Sequence, residues 1–405
     1  MIDTGSFLVI VFAAAVAGTI VAVAAPRIVI PVVVVELLLG IVIGPHVADL
    51  AHVNRFTDFF GNLGLGMLFF FAGYEIDFDR IRGRALRLGT IAWAMSLAIA
   101  FGVGGVLAAL GVVVSLLYTG SALATTAIGT LIPILRDERE LQTRFGKHLL
   151  AGGAAGEFGP ILLITLVLST THPLVEAAIL VAFVGLAVLT GVFAVRSVSR
   201  GWPVIERTFE SSSQLPIRLA VVLVVALLTL AGHLGLDLLL GGFVAGLITR
   251  EALRDQELEV FESKITAVGY GFLIPFFFIT SGMKFDLPSL FGSASALLKL
   301  PLFLGLFLLV RGLPAFVLYA GLFDRRDRMA LGFYLATELP LVVAITTVAV
   351  DTGHMRETTA SALVGAAILS TLIYPLVAMR LRRDRAKEPE PEVEEAAADQ
   401  APATA

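Results

Sequence analysis

Of the 405 residues, 57% are hydrophobic and only 15% charged, and the mean hydropathy is +0.91. A soluble domain carries about 25% charged residues, so this balance excludes an ordinary soluble enzyme or binding module and marks an integral membrane protein. The absence of Cys removes disulfides, thiolate nucleophiles and Cys-built zinc or iron–sulfur sites, and the net charge of −4 reflects an acidic C-terminal end.

Apolar runs bounded by charged or Pro/Gly/Ser-rich breaks give about thirteen spans. The first, over 6–25, has no basic stretch before it and reads as a spanning helix rather than a cleaved leader. The second, 28–45, is short and carries Glu36; the third, 57–75, ends beside Glu75 and Asp77 at an interface. After 88–111 comes 113–135, where small and hydroxylated residues from Thr119 to Pro133, Thr125 and Thr126 among them, replace the expected grease. The sixth span, 147–170, contains the lone carboxylate Glu157, and 174–196 follows. Spans over 216–233, 236–250 and 264–283 lead to 295–319, which holds Arg311. The twelfth, 329–350, places Glu338 and Pro340 at mid-span, and the last is 358–380. A domain division of 1–380, membrane region, and 381–405, disordered acidic tail, follows from the Pro- and Glu-rich composition after Glu388.

Alternating these spans puts 24 of the 29 basic residues on one side. The positive-inside rule then places the C-terminus in the cytoplasm and the N-terminus outside. The arginine clusters are therefore topology determinants, and no nucleic-acid partner is expected. Arg311 fits neither side.

A charge at bilayer depth costs roughly 2.5–3.5 kcal/mol on insertion scales, so Glu157, Glu338 and Arg311 call for a reason. Counting about 1.5 Å per residue from the cytoplasmic ends puts Glu157, Glu338, Arg311 and the Thr125–Thr126 pair all roughly 12–15 Å deep. Polar features of four spans at one depth point to a shared midplane site. The fifth and twelfth spans read as interrupted helices, since a mid-span proline removes a backbone donor and half-helix ends present dipoles and carbonyls to ions. His148 and His233, near span ends, read as solvated or satisfied rather than as metal ligands, and no resident metal or cofactor is expected.

Four segments carry a family resemblance in a fixed order. They are Val32-Val-Val-Val-Glu36-Leu-Leu-Leu-Gly40-Ile-Val-Ile-Gly44-Pro45, Phe70-Phe-Ala-Gly-Tyr-Glu75-Ile-Asp77, Leu240-Gly-Gly-Phe243-Val-Ala-Gly246-Leu and Phe276-Phe-Phe-Ile-Thr-Ser-Gly282-Met-Lys-Phe-Asp286-Leu. Over roughly residues 6–380 the chain resembles the monovalent cation:proton antiporter-2 family of the sodium/proton exchanger superfamily. The resemblance implies an all-α polytopic fold of two inverted repeats, with a pair of broken helices crossing at midplane and a dimerisation bundle beside an ion-carrying core. It implies a homodimer, with Na⁺ or K⁺ and protons as the exchanged ions. The net basicity of the cytoplasmic loops fits the plasma (cell inner) membrane, and without a nucleophile–base set or a metal cluster no enzymatic activity is expected. It also assigns Glu157 as the residue that binds proton and cation in turn, Arg311 to a position usually held by Lys, and Glu338 to the acid of the second broken helix. Gly156 falls where a carboxylate or amide normally precedes the acid.

Because Arg effectively never deprotonates, Arg311 reads as a fixed counter-charge pairing with Glu157 or Glu338. A single titrating acid then suggests electroneutral exchange, with the Thr125 and Thr126 oxygens as cation ligands. Two other readings of the same architecture are a sodium-coupled organic-anion symporter and a transport-dead sensor or scaffold.

Overall fold

The computed structural model describes residues 4–24, 31–75, 83–141, 143–167, 181–194, 211–234, 238–253, 259–285, 287–292 and 294–382, with positions 179, 196 and 208. The acidic tail expected after residue 380 falls, from 383 onward, outside them. Long runs of Leu, Val, Ala and Phe can satisfy backbone polar groups in a bilayer only as helices, and every regular element among the described residues is helical. In chain order these are α1 Thr4–Ala24, α2 Val32–Ile43, α3 Arg55–Tyr74, α4 Arg84–Ala109, α5 Leu116–Leu123, α6 Ile128–Asp137, α7 Arg144–Val167 and α8 Val181–Ala194. They continue with α9 Leu215–His233, α10 Leu238–Ala252, α11 Glu259–Met283, α12 Ala294–Leu318, α13 Arg325–Leu335, α14 Pro340–Asp351 and α15 Glu357–Arg382. A five-residue helical turn, Leu287–Phe291, precedes α12.

Seven of the described helices are long and apolar enough to cross a membrane, and α13 with α14 forms an eighth candidate bent by 40°. The second and ninth expected spans are indeed short, as α2 and α10. Helix starts are set locally: Asn54 and Thr57 form a reciprocal capping box at α3, Ser115 caps α5, and Asp324 caps α13.

The helices pack in two groups. One joins α1, α2, α3, α9, α10 and α11; the other joins α4 to α7 with α12 to α15. In the first group glycines remove the side chains that would hold backbones apart. A Cβ on Gly246 would collide with the Phe70 carbonyl, and one on Gly40 with that of Ile279. In the second group α4 lies on α7 and α5, while α15 runs against α12, α13 and α14.

α11 and α12 each contain a widened π turn, at Gly269–Leu273 and Leu308–Gly312. Pro275 and Pro314 stand just after these turns. A proline ring clashes with the carbonyl four residues earlier, here Gly271 and Val310, and opening the turn relieves that clash without ending the helix. The second of these turns carries Arg311.

Candidate functional site

Two helical segments are interrupted by unwound stretches. α5 ends at Leu123 and the chain runs unwound through Ala124–Ala127 before α6 starts; α13 ends at Leu335 and runs through Ala336–Leu339 before Pro340 opens α14. Both breaks fall in the segments that the sequence marks as interrupted. The unwound stretches are bonded to one another and to α7: the Ala127 N–H donates to the Thr337 carbonyl at 2.8 Å, and the Thr126 N–H to the Gly156 carbonyl at 3.2 Å. Side chains from outside hold the breaks open. The Trp93 indole on α4 donates to the Ala124 carbonyl at 3.1 Å, and Ser370 on α15 accepts from the Glu338 N–H at 3.0 Å. The Thr371 hydroxyl donates to the Glu338 carbonyl at 3.1 Å.

The structure brings all five predicted site residues to this crossing, and each is buried. The Thr125 hydroxyl donates to Glu338 Oε2 at 2.7 Å and also contacts the Ala122 carbonyl at 3.0 Å. Thr126 donates to the Leu335 carbonyl at 2.6 Å and accepts from Arg311 Nε at 2.9 Å. Glu157, on α7, accepts a backbone hydrogen bond from Ile128, the first residue of α6. A helix N-terminus presents unsatisfied N–H groups and the positive end of the dipole, which suits a carboxylate held away from water. Among the described residues, Glu157 Oε2 and Glu338 Oε1 have no hydrogen-bond partner.

Arg311 differs from expectation. Its guanidinium donates to Thr126 Oγ1, to Ser96 Oγ at 3.2 Å and to the Gly152 carbonyl at 3.0 Å, all neutral acceptors. No described carboxylate lies within ion-pair distance of it, so the direct pairing with Glu157 or Glu338 expected from sequence is not formed. The widened turn of α12 aims Arg311 at the α4–α7 contact, and the three acceptors take up its donors there.

Other sequence candidates fall elsewhere. Glu75, just past α3, lies within electrostatic reach of Glu157. Glu36 is buried in α2, in the other helix group. His148 is fully buried, with Nδ1 at 2.8 Å from the Arg144 carbonyl. Ser96, Trp93, Ser370 and Thr371 also belong to the site but carry no charge that marks them in the sequence. Only the hydroxyl or indole in an apolar run could have signalled them. A cavity of about 450 Å³ lies between the end of α11 and the α14–α15 pair, lined by Ser281, Val343, Thr346, Asp351, Glu357 and Ser361 among others. It reaches Val343, less than one turn beyond the break at Pro340.

The model of the transmembrane sodium/hydrogen exchanger family matches residues 11–381. The chain belongs to that family. Among exchanger relatives, it is 25% identical over 376 residues to the putative Na⁺/H⁺ antiporter YjbQ of Bacillus subtilis, covering 89% of this chain and 60% of that protein's length. It is 24% identical over 355 residues to the Na⁺/H⁺-K⁺ antiporter GerN of Bacillus cereus, covering 85% of this chain and 88% of that one. The sodium proton antiporter MjNhaP1 of Methanocaldococcus jannaschii shares the fold, with a TM-score of 0.60 at 18% identity over 92% of this chain and 97% of that structure. That family is one of membrane transporters of antiporter type, and this member is an all-α multi-pass membrane protein that spans about 60% of the length of YjbQ.

Proposed function

We propose that the chain exchanges a monovalent cation, Na⁺ or K⁺, for protons by alternating access, with Glu157 binding proton and cation in turn. The observation that carries this reading is the setting of Glu157. It is a buried carboxylate at the N-terminus of a half-helix, with one oxygen unpartnered and no Arg or Lys bound to it among the described residues. A proton or a cation can neutralise such a group, but not both at once, and that exclusion couples the two fluxes. The free lone pairs of Thr125 and Oε1 of Glu338 supply further oxygen to a cation lying at the crossing. The names of the relatives, Na⁺/H⁺ and Na⁺/H⁺-K⁺ antiporters, support the same pair of ions.

The two helix groups supply bodies that can move against each other, the second carrying the site and the first forming a homodimer contact. The skew of basic residues supports a plasma-membrane orientation with the C-terminus in the cytoplasm. The 450 Å³ cavity then lies on the outer side and gives the cation its access route.

The test is proton flux in proteoliposomes under an imposed Na⁺ or K⁺ gradient, comparing wild type with E157Q. A lumenal pH change that follows the cation and disappears in E157Q is expected, and the effective cation names the substrate. Absence of flux with any alkali cation between about pH 6 and 9, the window in which a tuned acid must exchange, would sink the exchange reading.

A further inference from the structure

Arg311 occupies a space that exists only because residue 156 is glycine. A Cβ built on Gly156 would collide with Arg311 Nη2, and would stand 2.9 Å from its Cζ and 2.7 Å from Thr126 Oγ1. Real Cβ atoms essentially never come so close, so something would have to move. A flexible side-chain end usually yields, but this one is 1% exposed and its Nε, Nη1 and Nη2 are each committed to an acceptor. Moving it would leave a buried charge with lost partners, and would also release Thr126, whose hydroxyl bridges Arg311 to the carbonyl of Leu335 on the other broken helix.

We propose that Gly156 and Ser96 are positioning residues for this exchanger. Gly156 leaves the place of a side chain to the Arg311 guanidinium, Ser96 accepts from another edge of that group, and the guanidinium ties the unwound Thr126 to the Gly152 carbonyl of α7, the helix that carries Glu157. The proposal rests on the exchange reading only for its functional consequence; the packing relation stands by itself. Arg311 thus lies against residue 156, whereas neither Glu157 nor Glu338 is within ion-pair distance of it. In this packing a side chain at 156 calls for a cation at 311 that can give way. Lys meets that need, since it presents one ammonium on a flexible stem in place of a rigid five-donor fork.

The experiment compares full-length wild type, G156N, R311K and G156N/R311K in proteoliposomes, reading cation-driven proton flux and, on the same preparations, the midpoint of thermal unfolding. G156N is expected to lower flux about tenfold and to melt earlier, whereas adding it to R311K changes flux by less than about twofold, the non-additivity of residues in contact. S96A is expected to lower flux by about threefold, and the loss shrinks in R311K by the same coupling argument. Wild-type flux and midpoint in G156N, or equal losses from G156N in both backgrounds, would overturn the proposal. If G156N does not yield folded protein, recovery of folded G156N/R311K is the expected rescue, and its failure while G156A behaves identically in both backgrounds counts against it. If wild type itself carries no flux, the exchange reading fails, and the melting comparison still decides the packing relation.

Discussion

Thr125 and Thr126 are adjacent, yet their hydroxyls have different freedom. Thr125 only donates, to Glu338 and towards Ala122, so its lone pairs stay available to a cation. Thr126 donates to Leu335 and accepts from Arg311, which leaves little capacity for an ion. T125A is therefore expected to raise the cation concentration for half-maximal flux while leaving the maximal rate less affected. T126A removes the acceptor of a charge-assisted bond worth about 1.5–3 kcal/mol and should lower maximal flux and thermal stability together. The reverse pattern in the same flux assay would exchange their roles. The charges at this site were legible in the sequence, because an ionised group within an apolar run is costly enough to be its own signal. Their partners were not. Ser96 and Ser370 sit on helices where hydroxyls usually back-bond to their own turn, as both also do here, and nothing in the spelling shows what else they face. The role of Gly156 was hidden for a similar reason: a missing side chain acquires meaning only from what fills its place.

At the scale of elements, the two helix breaks could be read from the chain and the two π turns could not. Pro340 at mid-span and the small-residue stretch before Pro133 both signal interruption, whereas Pro275 and Pro314 lie in helices that widen and continue. The ends of the broken helices away from the crossing are tied by a feature the sequence reading counted only as topology. Arg382, the last residue of α15, bonds Glu140 in the α6–α7 connection at 2.7 and 3.0 Å. It also reaches Asp327 in the first turn of α13 at 3.0 Å and lies over the Phe145 ring. All three charged side chains are largely buried. Removing one partner of such a set strands the others, at a cost of about 3–5 kcal/mol, while removing the whole set costs much less. R382A should therefore melt well below wild type, and R382M/E140Q/D327N should recover part of the loss. A triple variant no more stable than R382A in a thermal-shift measurement would show that the cluster stabilises by net attraction instead.

For the whole molecule, the fixed and exchangeable charges of the site decide whether transport moves net charge. In the proposed cycle Arg311 stays positive, because a guanidinium does not release its proton in proteins and three acceptors hold it in place. If Glu338, bound by Thr125, keeps one state throughout, only Glu157 changes its occupant. A proton and a monovalent cation neutralise it equally, so the site crosses the membrane with the same charge in both directions. Solid-supported membrane recording of wild-type proteoliposomes should then show no sustained charge displacement after a Na⁺ jump, although a pH-sensitive dye reports proton flux in the same vesicles. Each unbalanced charge would couple transport to voltage by about 2.3 kcal/mol per 100 mV, so an imbalance would be plain. A current whose sign follows the Na⁺ gradient would mean that a second group loads and unloads protons with Glu157. Glu338 would be its first suspect, since its Oε1 is unpartnered, and E338Q would be expected to abolish the current while sparing dye-reported flux. A silent recording with robust flux leaves Glu157 as the single exchanging acid, balanced against a guanidinium that occupies the space left by Gly156.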